Sequence, residues 1–280
     1  MKIIVHVGPH RTGTTSIQAL LAESRDDLLR SRIWYPKCQY VATAHHVLAW
    51  QVLGRDLRAI GAADESRSAT SILASWIDEA RMRSCNTLVL SSEDFSIFRD
   101  KEWWKLRSFV GPAVTWHFVA ARRDPTEAAR SAYSHLLLSG LSQEFDEVKD
   151  ILRKGTAEFF EYVELLARMQ SWCSIHLVGY SDTPKYLASM IRTLVGSSVT
   201  SKVLPRSESP SLNARLDADV CDYLLAFNRL NTPGFVLDPL TGALPADFYG
   251  RVDGERPKIA WVAGLVESVM KSEMQHRDAS

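Results

Sequence analysis

Near the start of the chain, Gly8-Pro9-His10-Arg11-Thr12-Gly13-Thr14-Thr15-Ser16 has the residue types and spacing that hold a phosphate or a sulfate. Two glycines at this separation let successive backbone N–H groups turn inward at a helix N-terminus, where the helix dipole favours negative charge. The hydroxyls of Thr12, Thr14, Thr15 and Ser16 add neutral donors. A nucleoside-triphosphate loop places Lys directly after its second glycine. Here Thr14 holds that position, and the cation, Arg11, precedes Gly13. A capped helix beside a solvated arginine is the plainer reading, but the density of donors ahead of one helix points first to an anion.

A second stretch, Arg122-Arg123-Asp124-Pro125-Thr126-Glu127, has its own logic. Asp124 suits a helix N-cap, Pro125 the first helical position, and Glu127 the return half of a capping box. That start puts Arg123 at a strand end and Ser131 about two turns into the helix, where both can hold one phosphate. Taken alone, an Arg-Arg pair before a helix is an ordinary surface ion-pair participant.

Both stretches need strands behind them. Ile3–Val7, Thr87–Leu90, Thr115–Ala120 and Ile175–Val178 are short, rich in Val, Ile and Leu, and end in Gly or polar residues, the pattern of buried parallel strands. Helical spacing fills the intervals: Ile17 to Leu28, Ile72 to Ala80, Ala128–Leu138, Phe159–Trp172, Lys185–Val195, Leu216–Leu230 and Trp261–Lys271. The alternation predicts an α/β three-layer sandwich around a mostly parallel sheet, with ligands beyond the carboxyl ends of its strands. With no internal repeat or compositional break, residues 1–280 are expected to form a single domain.

Composition narrows the function classes. The chain's 33 basic and 33 acidic side chains leave no excess for tracking a nucleic acid, so an anion site must be local. No apolar run reaches the roughly 20 residues of a membrane-spanning helix. The N-terminus lacks a secretory pattern, and cytoplasmic residence is expected. Cys38, Cys85, Cys173 and Cys221 contain no C-x-x-C pair, so neither zinc nor a disulfide frame is suggested.

Together the two loops resemble those of the sulfotransferases that use 3′-phosphoadenosine 5′-phosphosulfate (PAPS). His6 to Ser16 is similar to that family's 5′-phosphosulfate loop. Arg123-Asp124-Pro125 followed by Ser131 is similar to its 3′-phosphate motif, and Ile175 to Asp182 resembles the strand that ends in an adenine-contacting tyrosine, here Tyr180. The resemblance covers roughly residues 3–182. It implies a P-loop-like fold, release of 3′-phosphoadenosine 5′-phosphate (PAP), no metal, and sulfuryl transfer to a hydroxyl, or less readily an amine, of a carbohydrate or other small acceptor. Arg11, Thr12, Gly13, Thr14, Thr15 and Ser16 would hold the phosphosulfate, and Arg123 and Ser131 the 3′-phosphate. One departure is Arg11, where the family usually has Lys; Arg neutralises charge but cannot donate a proton.

Such a transfer needs a base for the acceptor's proton. Two candidates stand out: the pair His45-His46 ahead of Val47-Leu48-Ala49-Trp50, similar to bacterial members of the family, and Glu93 after the strand Thr87–Leu90. His46 and His45 rank first, with Glu93 as rival or partner and Asp94 as a possible cap. Arg206, in a Pro/Ser-rich loop, is expected to touch the nucleotide. Acceptor-side elements are expected around residues 36–70, 134–160 and 230–256. Two alternatives stand beside this reading: an ATP- and Mg²⁺-dependent P-loop phosphotransferase, and a nucleotide-binding protein without turnover.

Overall fold

The computed structural model describes residues 1–9, 11–38, 43–55, 57, 67–138, 140–169, 171–181, 183–204 and 218–231. The expected loop at residues 205–210, with Arg206, lies outside the described residues, as do the loop at 232–257, the helix at 261–271 and parts of the expected acceptor elements.

Five strands, β1 (Lys2–Val7), β2 (Ile33–Trp34), β3 (Thr87–Ser92), β4 (Thr115–Arg122) and β5 (Cys173–Gly179), form one sheet in the order β2-β3-β1-β4-β5. Every pairing is parallel. The fold is therefore the expected α/β class, a parallel sheet flanked by helices. Each predicted strand is present and longer than its apolar run, because the ladder continues into polar residues such as Ser91, Ser92 and Arg122. Two-residue β2, too short for a periodic signal, adds the edge.

The helices are α1 (Thr14–Glu23), α2 (Arg25–Arg30), α3 (His46–Leu53), α4 (Ala69–Met82), α5 (Asp100–Ser108), α6 (Pro125–Leu138), α7 (Phe145–Met169), α8 (Pro184–Val195), α9 (Ser197–Val203) and α10 (Ala218–Asn231). Pro125 opens α6, as its fixed φ favours. Helix α7 starts well before the predicted Phe159 and ends before Trp172, which leads into β5 instead.

By contacts the chain divides into two compact units, 1–124 with 156–213, and 125–155 with 214–280. In the first, alternation along the strands splits the core. Ile3, Val5, Leu88, Leu90 and Phe118 face α3, α4, α5 and the later part of α7. Ile4, Val89, Val119 and Ala121 face α1, α2, α8 and α9. The second unit packs Tyr133, Leu137, Leu141, Val148 and Leu224 together, and the buried Asn228 amide donates to the carbonyls of Leu137 and Leu141. Those bonds satisfy backbone acceptors around the end of α6.

Candidate functional site

In an open parallel sheet, ligands gather where neighbouring strands send their connections in opposite directions. Here β1 leads toward β2 on one side and β4 toward β5 on the other, and the two strands are adjacent. The switch point therefore lies between the loop after β1, which carries Arg11, and the end of β4, which carries Arg123.

The first loop is held by its carbonyls. Pro9 O accepts from the hydroxyls of Thr12, at 2.7 Å, and Thr14, at 3.5 Å. Arg11 O accepts from an Arg123 guanidinium N–H, Thr12 O from the Tyr186 hydroxyl at 2.7 Å, and Gly13 O from the amide of Ile17 at 3.1 Å. In a trans peptide the N–H points away from the C=O. Carbonyls turned into the fold thus turn the amides of Thr12, Gly13 and Thr14 the other way, at the start of α1. Arg11 (φ 66°) and Gly13 (φ 71°) both adopt the left-handed conformation that reverses successive peptide planes. Gly8 is required for a different reason: a Cβ there would lie 2.9 Å from the Cα of Glu93.

Arg123 is the unusual charge. It is only 8% exposed, its Nε is buried without a hydrogen-bond partner, and no carboxylate among the described residues pairs with it. Its guanidinium lies 4.4 Å from the ring centroid of Tyr180, which meets Tyr186 edge-on at 4.9 Å. Burial first, and then the charge of Arg123, hold the Arg11 guanidinium below the usual arginine range. A guanidinium whose charge is disfavoured by burial and by a second guanidinium nearby is one that an anion would stabilise.

The end of β3 carries the other cluster. His45, fully buried, accepts at Nδ1 from the Ser91 amide (2.9 Å) and meets Pro36 O from Nε2 at 3.1 Å, so its proton is on Nε2. Burial holds it neutral, with a pKa lowered to about 3. Both ring nitrogens are committed to the fold, which leaves His45 no lone pair for an incoming proton. His46, the first residue of α3, differs: Nδ1 lies 2.9 Å from Ser92 Oγ and 3.3 Å from Asp94 Oδ2, and Nε2 lies 3.6 Å from Glu93 Oε2. Burial pushes its pKa down, but the hydrogen bond to Asp94 and the charges of Glu93 and Asp94 outweigh it, and the net shift is upward.

Glu93 Oε2 accepts from Gln18 Nε2 at 3.0 Å, which ties this cluster to α1, and its backbone packs on Gly8. The cap of the short 3₁₀ helix Glu93–Ile97 is Ser92, whose hydroxyl accepts from the Asp94 amide. Asp94 itself accepts from Trp50 Nε1 (2.9 Å) and Arg55 (3.0 Å).

The structure thus gathers Arg11, Thr12, Gly13, Thr14, Arg123 and Tyr180 at one place, with Thr15 and Ser16 in the first turn of α1. Glu93 and His46 border the loop through Gly8 and Gln18. Ser131 is buried on α6, in the second unit. Sequence reasoning missed Tyr186, Gln18, Trp50 and Arg55 as site residues; each lies inside a helix or just after one and carries no local motif. Among the described residues no cluster of His, Cys, Asp or Glu could hold a metal ion, and no helix is long and apolar enough to cross a membrane.

No protein-family model matches the chain, and no curated protein does. Among solved structures it is similar to the sulfotransferase domain of the Synechococcus PCC 7002 olefin synthase, at 13% identity and a TM-score of 0.39, over 91% of this chain and 93% of that one. A likeness that distant carries no argument about activity, which has to come from the site.

Proposed function

We propose that this protein is a PAPS-dependent sulfotransferase acting on a hydroxyl-bearing small acceptor. The observation that carries the proposal is buried Arg123, whose Nε has no hydrogen-bond partner, close to a second guanidinium, Arg11, at the switch point and beside a loop whose carbonyls are taken up by the fold. A nucleotide with one phosphate group at each end of its ribose needs two such small pockets and no wide basic face. In this reading the loop and Arg11 take the 5′-phosphosulfate, and Arg123 the 3′-phosphate. Tyr180, already under Arg123, offers a ring for the adenine to meet.

Transfer is in line: the acceptor oxygen forms a bond to sulfur as the sulfur–oxygen bond to PAP breaks. The acceptor proton passes to His46 Nε2, and Arg11 and the loop amides stabilise charge growing on the departing phosphate. His46 takes this role over His45 because its Nε2 lies 3.6 Å from Glu93 Oε2, beyond hydrogen-bond reach, whereas both ring nitrogens of His45 are hydrogen-bonded within the fold.

The competing ATP and Mg²⁺ reading needs a cation at Thr14, whose hydroxyl instead faces Pro9 O. Incubation with labelled PAPS and a panel of hydroxylated acceptors tests the proposal. Label should move to an acceptor at the same rate with and without EDTA. Turnover of ATP that EDTA abolishes, with no transfer from PAPS, would sink it.

A further inference from the structure

We propose that Asp94 is the positioning residue for His46, fixing the neutral imidazole in the tautomer that leaves Nε2 to accept the proton. The inference deepens the sulfotransferase reading and rests on it for the identity of the proton's source.

The geometry begins with what Asp94 can do. Its Oδ1 accepts from Arg55 and its Oδ2 from the indole N–H of Trp50, so the carboxylate is clamped from two directions and nearly buried. Oδ2 lies 3.3 Å from His46 Nδ1. A carboxylate oxygen only accepts, and a second lone pair facing it from Nδ1 would be repelled, so the proton belongs on Nδ1. Ser92 Oγ, 2.9 Å from the same nitrogen, already accepts from the Asp94 amide and can share the Nδ1 proton. Trp50 performs a second task by stacking on the imidazole, with centroids 5.5 Å apart and planes 18° from parallel. Ring plane and tautomer are therefore set by the same residues.

With Nδ1 occupied, the lone pair sits on Nε2; Glu93 Oε2 is farther from it, at 3.6 Å and beyond hydrogen-bond reach, and takes its hydrogen bond from Gln18 instead. The charged and titratable groups around His46 are Asp94 and Glu93 from the 3₁₀ helix, Arg55 after α3, and neighbouring His45. The two carboxylates favour the protonated ring and Arg55 opposes them, so His46 holds a received proton more firmly than a solvated histidine does. Gln18 keeps Glu93 in place through its own amide. Asp94 touches no substrate in this scheme; it acts through the imidazole, as an orienting carboxylate does for a general base.

Long-range proton–nitrogen NMR of the full chain reads the tautomer and titration of His46 without any turnover. The parent should show Nδ1–H in the neutral ring and a titration midpoint above that of a solvated histidine. Asp94→Asn should lower the midpoint and populate the Nε2–H form. Its rate of sulfuryl transfer should fall by about tenfold or more with KM for PAPS unchanged. Trp50→Phe, which removes one clamp and keeps a stacked ring, should shift the same signals in the same direction by less, and decides the matter if Asp94→Asn does not fold. An Nε2–H tautomer in the parent, or signals unmoved in both variants, overturns the proposal. Absence of transfer by the parent would count against the sulfotransferase reading and leave the NMR result standing on its own.

Discussion

The switch-point loop and the end of β3 border each other and are built on opposite electrostatic plans. At the loop, Arg11 and Arg123 crowd together and the buried Arg123 Nε has no partner. At the end of β3, nearly every polar atom is answered: Asp94 by Trp50 and Arg55, His45 by Ser91 and Pro36, Glu93 by Gln18. A buried charge left unanswered destabilises the fold by several kcal/mol unless something else completes it. The difference teaches how one sheet edge can divide two tasks: in the proposed reading Arg123 at the loop takes an anion, and the β3 cluster, whose partners the fold itself supplies, takes a proton.

The sharpest way to break that comparison is to exchange the roles. His46→Ala should cost about 10²–10⁴-fold in kcat, the usual size of a general-base contribution, while PAP still stabilises the variant. Loss of PAP stabilisation with kcat unchanged would mean that the two regions have been assigned the wrong way round.

Acid separates the histidines next. His45 and His6, both fully buried, have pKa values lowered to about 3 and about 4 from an ordinary 6.5. Both shifts come first from burial, which the attraction of Glu93 only partly opposes at His6. Their folded pKa values lie below the unfolded one, so the unfolded chain takes up protons first, and stability present above pH 6.5 is lost as pH falls. Near pH 5 each ring should cost about 2 kcal/mol in a urea titration. His46 has the opposite sign: its raised pKa gives stability that is full below 6.5 and lost as pH rises through its folded value. A stability curve flat from neutral pH to the acid side would contradict the neutral assignment of both buried rings.

Gly8→Ala tests the seam between the regions. The added Cβ meets backbone at Glu93, so unfolding free energy should drop by about 1–3 kcal/mol, read as a lower denaturant midpoint. An unchanged midpoint would show that the loop and the 3₁₀ helix can separate freely. Smallest is Tyr186→Phe. Losing one hydrogen bond to Thr12 O should cost about 0.5–1.5 kcal/mol, visible in melting temperature and as weaker PAP binding. If melting temperature falls and binding does not, Tyr186 braces the fold and not the loop's binding conformation.

Much of this is legible in the sequence, for physical reasons. Central parallel strands are apolar on both faces, so β1, β3, β4 and β5 stand out as short Val/Ile/Leu runs. Glycine spacing, hydroxyls and the Asp-Pro start of α6 are local chemistry, and local chemistry survives in one-dimensional order. What escaped detection is relational. Helix α5 carries Trp103 and Leu106 toward the core amid charged neighbours, and α9 is too short for its period to declare itself. His45 and His46 are adjacent in sequence with the same chemistry, and only the register of β3 against the start of α3 makes one structural and leaves the other with a lone pair. Asp94 suggested a helix cap, because nothing in the order of residues announces that Trp50 and Arg55 return to it across a helix.

The central claim is that Arg11 and Arg123 form an anion site completed by a 3′-phosphonucleotide, and the most direct measurement is thermal stabilisation by PAP in the parent and in Arg123→Ala. The account predicts that the parent's melting temperature climbs with PAP concentration while the variant, folded, shows no response, a loss corresponding to about 2–5 kcal/mol of binding. Stabilisation of Arg123→Ala as strong as that of the parent would contradict it.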